Sequence, residues 1–71
     1  GIQMIHLIVL TSVVDDKECT FVIENIQCIC AGEFYIDVYH TRRCTFVDGV
    51  KVKESVMEIT KRINQIIYGK D

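Results

Sequence analysis

The sequence contains no proline and no tryptophan, one alanine, two leucines and four scattered glycines among its 71 residues. Without proline, no strand loses a ladder donor. The scarcity of alanine and leucine removes the strongest helix formers, so any helix must be carried by local signals. Isolated glycines exclude the glycine-rich loops that cradle phosphates. No apolar run reaches the roughly 18 residues of a membrane-spanning helix. No basic segment with a small-residue cleavage site surrounds the short run Met4–Leu10, so a soluble, cytoplasmic chain is expected. A large charge of either sign is also missing. Eight basic and ten acidic side chains give a net charge of −2, which argues against a domain that holds nucleic acid through phosphates. At this length folding buries only about 60% of the unfolded surface. One small core is expected, in a single domain spanning 1–71, too short for a doubly wound fold or a TIM barrel.

What is abundant is β-branched. Valine and isoleucine number 20 and threonine adds five, and such residues suit a pleated, half-buried surface. Met4–Leu10 is apolar on both faces: alternation puts Ile5, Leu7 and Val9 on one side and Met4, His6, Ile8 and Leu10 on the other. A strand of that kind is usually covered twice. One helix can cover one face, and the other then needs a second sheet layer or another subunit. Asp15-Asp16-Lys17-Glu18 reads as a turn. Cys19–Ile23 follows as a strand, interrupted at Glu24-Asn25 by a bulge or tight bend. Ile26–Cys30 either continues it or forms a short strand, ended by Ala31-Gly32-Glu33. Phe34–His40 alternates as a half-buried strand, and Thr41-Arg42-Arg43 reads as a polar break. Asp48-Gly49 between Cys44–Val47 and Val50–Val52 is a strong two-residue hairpin signal, because both central residues of a type I′ turn need positive φ.

The period then changes. Val56, Ile59, Ile63, Ile66 and Ile67 share one helical face. Ser55 and Glu58 have capping-box spacing, Glu58 and Arg62 form an i,i+4 pair, and Gly69 suits a left-handed stop. A helix from Ser55 to Tyr68 is expected. The fold class is therefore α+β: an antiparallel β-meander of about five strands, open or barrel-like, with one C-terminal amphipathic helix.

Few residues point to chemistry. Cys19, Cys28, Cys30 and Cys44 lie in apolar runs and read as buried reduced thiols. A metal site would need the fold to gather them with His6 or His40, and the spacing is not that of a zinc motif. Nothing selects a nucleophile, base and orienter, so no enzyme activity and no cofactor is expected. Arg42 and Arg43, close in sequence to Tyr35 and Tyr39, are candidate phosphate contacts for an alternative, nucleic-acid-binding role.

The run Phe46-Val47-Asp48-Gly49-Val50-Lys51-Val52-Lys53-Glu54-Ser55-Val56-Met57-Glu58-Ile59 resembles the small flagellar and swarming-motility protein family, in which a glycine turn leads through a valine-lysine-glutamate-serine run into an amphipathic helix. Met4-Ile5-His6-Leu7 looks like that family's opening strand, and Phe21–Ile29 is similar to its second strand and the isoleucine pair after it. The chain departs from the family pattern at Asp15–Glu18, where a short glycine turn is expected, and by extra length at His40–Cys44. The resemblance implies a bacterial accessory domain with no catalytic residues that acts by contact.

The expected role is self-association or binding of a protein partner, in keeping with the two-sided first strand and with sheet edges that can recruit another chain. Ile8, Leu10, Tyr35 and Tyr39 are the expected contact residues. A metal-binding module using the cysteines and His40 is a third reading.

Overall fold

The computed structural model describes residues 4–69. Leu7–Thr11 (β1) and Glu18–Val22 (β2) form an antiparallel hairpin, with Ile8 opposite Phe21 and Leu10 opposite Cys19. The acidic segment between them is a turn. Asp16 takes a φ of 60°, and the Asp15 carboxylate accepts from the Lys17 amide at 3.1 Å. After β2 the chain bends through a 3-10 turn at Ile23–Asn25. The expected interruption at Glu24-Asn25 is thus a right-handed turn, with Asn25 outside the left-handed region.

Ile29–Tyr35 (β3), Thr41–Val47 (β4) and Val50–Val52 (β5) form a second antiparallel sheet in the order β3-β4-β5. Two expectations are corrected here. Ala31-Gly32-Glu33 does not end a strand but lies inside β3, and Thr41-Arg42-Arg43 opens β4. Gly32 is a point of close approach: a Cβ there would meet Cε2 of Phe46 at 2.8 Å. The Asp48-Gly49 turn forms as expected, with φ values of 47° and 84°. The Asp48 carboxylate also accepts from the amides of Gln27 at 3.1 Å and Cys28 at 2.9 Å, tying the entry of β3 to the β4–β5 turn.

The two sheets meet where β1 ends. Lys53 N–H donates to the Thr11 carbonyl at 2.9 Å and Val13 N–H to the Lys51 carbonyl at 3.0 Å, around a bridge between Ser12 and Val52. The strands therefore follow one another in space as β2-β1-β5-β4-β3. The chain leaves the simple meander between β2 and β3, which are not paired with each other, and no closed barrel results.

Val56–Tyr68 (α1) is the one α-helix among the described residues, which makes the fold α+β. Ser55 caps it, its Oγ accepting from the Glu58 amide at 3.0 Å. Gly69, at φ 65°, stops it and donates to the Gln65 carbonyl at 2.8 Å. The expected Glu58–Arg62 pair gives way to another contact: Arg62 Nη2 donates to the Val9 carbonyl at 2.9 Å. That bond satisfies an acceptor on the edge of β1 that β2 cannot reach.

Ile59 enters the core with Ile8, Leu10, Ile23, Val47 and Val52, and Ile63 and Ile67 pack alongside. Each such side chain, fully buried, contributes about 1.5–3 kcal/mol. The helix and both sheets thus share one core. Ile8 and Leu10 are 1% and 0% exposed. This corrects their expected place at a partner interface, because the helix covers their face of β1. The unmatched face of that strand is the other one, where Leu7 and Val9 are exposed; the strand begins at Leu7 rather than at Met4, and Ile5, exposed as well, precedes it.

Candidate interaction surface

The register of β3 and β4 runs from Ile29 opposite Val47 to Tyr35 opposite Thr41. Only its inner end reaches the core, where Thr45 and Val47 are buried. Every residue from 35 to 43 is exposed. The outer half of this hairpin is an arm that the rest of the chain does not cover. In keeping with such an arm, the molecule extends 52 × 22 × 20 Å with a radius of gyration of 13.7 Å, against about 11 Å for a compact chain of this length.

Asp37 builds the tip. Its Oδ1 accepts from the amides of Tyr39 at 2.7 Å and His40 at 2.9 Å, and its carboxylate meets His40 Nδ1 at 2.8 Å. The Tyr39 amide and the His40 ring hold the Asp37 carboxyl below its usual range. Ile36 N–H closes the loop on the His40 carbonyl at 3.0 Å. A carboxylate that satisfies its own loop's amides needs no help from the core. The tip is therefore ordered while it displays apolar side chains. Tyr35, Val38 and Tyr39 are 76%, 83% and 89% exposed, and Ile36 is exposed beside them. Tyr35 and Tyr39, the expected contact residues, are thus exposed at the arm's tip. Ile36 and Val38, expected in a half-buried strand, lie instead at the turn. The spacing Asp37-x-Tyr39-His40 is the local signal for that turn.

Arg42 and Arg43 are adjacent on β4, so alternation sends their side chains to opposite faces. Arg43 Nη1 lies 3.3 Å from the Glu33 carboxylate directly across the ladder. Arg42 shares its face with Phe34, Cys44 and Phe46, where Lys51 Nζ sits 4.9 Å from the Phe34 ring centre. A shallow depression at the base of the arm is lined by Val13, Asp16, Arg42, Arg43, Cys44 and Lys53. Two of its three cations are already paired, Lys53 with Asp16 and Arg43 with Glu33.

The cysteines are all free. Cys19 and Cys44 are half-buried, but Cys28 and Cys30 are exposed, which corrects the expectation of four buried thiols. A hydrogen bond to Cys30 is the main cause that raises the Cys28 thiol pKa, and the charges of Cys30 and Asp48 add to it. Burial raises that of Cys19, helped by Glu54 and Asp15. His40 stays with Asp37 at the tip, and His6 pairs with Glu24 through Nδ1 at 2.5 Å. Among the described residues no three His, Cys, Asp or Glu side chains gather as a metal group, and no helix is long and apolar enough to cross a membrane.

Comparison with protein-family models, with curated proteins and with solved structures returns no match.

Proposed function

We propose that this chain is a small accessory domain that acts by protein contact, through self-association or by binding a protein partner, and performs no catalysis. The observation that carries the reading is the β3–β4 arm, whose tip presents Tyr35, Ile36, Val38 and Tyr39 to solvent on a loop ordered by Asp37. Tyrosine supplies large contact area at low entropic cost, and clustered exposed apolar side chains mark interaction sites. The exposed face of β1, with Leu7 and Val9, and Ile5 just before it extend the apolar surface available for contact.

A photo-crosslinking residue placed at Tyr39 in the source cell tests this, with Lys61 on the exposed side of α1 as control. A covalent adduct at the tip and none at Lys61 is expected. Absence of any tip adduct, together with a monomeric purified protein, removes the reading. The motility-related form of the proposal rests on the resemblance over residues 46–59. Deleting the gene should impair swarming, and unchanged swarming removes that form alone.

A further inference from the structure

The ladder between β3 and β4 leaves alternate backbone groups of β3 unused. Cys28 accepts from the Asp48 amide and Ile36 donates to the His40 carbonyl, so the even-numbered residues between them face β4. The N–H and C=O groups of Ile29, Ala31, Glu33 and Tyr35 point the other way. No strand of the described residues pairs with them.

Exposed edges of this kind are normally blunted by lysine, proline, a bulge or brevity. β3 has no lysine, proline or bulge: it is seven residues long, reads ICAGEFY, carries a single charge, Glu33, and packs near α1 over part of its length. The other edges are defended. β2 is two residues shorter than β3, and Glu18 at its start follows the charged turn Asp15-Asp16-Lys17. On the free side of β1, Arg62 takes the Val9 carbonyl and Glu54 takes the Thr11 amide.

We propose that two copies of this chain pair through β3, antiparallel about a two-fold axis at Gly32, with Ala31 of each copy facing Glu33 of the other. This deepens the contact reading above, on which it rests, by naming the partner and the register. The sequence of β3 suits this register. Ile29 meets Tyr35 of the second copy, an aromatic and β-branched pair of the kind that stabilises antiparallel sheets. Cys30 meets Phe34. The two glutamates each face a small neutral residue rather than one another. Shifting the axis by one residue to Glu33 would set like charges directly opposite, which is unfavourable. Shifting it to Ala31 would call on Gln27, whose amide is already held by Asp48. At Gly32 all four outward-facing residues are used, forming about eight intermolecular backbone bonds. The axis also passes where neither copy has a Cβ. A two-fold pairing of this kind closes on itself and leaves no further β3 edge.

Sedimentation equilibrium under reducing conditions tests the proposal, using the whole chain and two long, oppositely charged substitutions at exposed Ala31. The unmodified protein should dimerise. Ala31→Glu places a carboxylate opposite Glu33 twice per dimer and should raise the dissociation constant about two- to thirty-fold. Ala31→Lys places a cation there and should leave dimerisation intact or tighten it. Circular dichroism checks that both variants fold. A monomeric unmodified protein with a tip that still crosslinks in cells overturns the β3 dimer and leaves the contact role standing. Equal weakening by both substitutions overturns the register.

Discussion

The ring of Phe46 lies over the backbone of Gly32 on the neighbouring strand, so close that a Cβ on Gly32 would stand 2.8 Å from Cε2. Gly32→Ala should therefore destabilise the fold, although alanine is ordinarily the better strand residue. Overpacking of this size costs about 1–3 kcal/mol, with the lower end expected because a ring edge can shift. Urea unfolding should show it, and combining Gly32→Ala with Phe46→Leu should recover part of the loss.

The Asp48 side chain joins two segments at once, and its backbone adopts φ 47° in the turn. Asp48→Ala should cost about 1–3 kcal/mol, from two lost amide acceptors and a poorer left-handed residue. Asp48→Asn tolerates the same φ and keeps one acceptor oxygen. It should cost roughly half as much or less, measured by thermal and urea unfolding.

Arg62 contacts the Val9 carbonyl rather than Glu58. Arg62→Met should lower stability by about 0.5–1.5 kcal/mol, the scale of one hydrogen bond at a partly exposed site. Glu58→Gln should change it by less than about 0.5 kcal/mol. If the two substitutions cost the same, the helix-surface pair rather than the bond to β1 is what matters.

Three carboxyls titrate low in the folded state. At Glu54, burial opposes ionisation, but bonds from the Thr11 amide and hydroxyl at 2.9 Å and the charge of Arg62 outweigh it. At Glu24 the His6 amide and ring are responsible, and at Asp37 the Tyr39 amide and the His40 ring. Their unfolded values are near 4.5, 4.5 and 3.8. A depressed folded pKa contributes stability that is fully present above the unfolded value and lost as pH falls through the folded one. Unfolding midpoints should therefore be steady from pH 7 down to about pH 5 and fall below that. Glu54→Gln should flatten part of the acid decline. An unchanged acid profile in that variant would show that the Thr11 contact does not set it.

Much of the architecture is legible along the chain because its causes are local. Asp48-Gly49 dictates its own hairpin, since few residue pairs tolerate two successive positive φ values. Ser55, Ile59, Ile63 and Ile67 at helical spacing, and Gly69 mark the start, core-facing side and end of α1 without reference to any distant residue, although Ile66, expected on the same face, is exposed. The first strand's double-sided apolar pattern leads one to expect apolar surface beyond what one helix covers, and Leu7 and Val9 are exposed.

What depended on packing was which face that is, and where the strands of the middle third begin and end. Alternation divides Met4–Leu10 into two equally apolar sides, and only the docking of Ile59 assigns Ile8 and Leu10 to the interior. Gly32 and the pair Arg42-Arg43 have the composition of loops, yet β3 and β4 run through them because Phe46 covers the glycine and Glu33 meets Arg43 across the ladder. Local sequence sets backbone preferences one residue at a time, whereas a sheet edge and a projecting arm are defined by which strands find no neighbour. That depends on all the pairings at once, and only the folded chain decides it.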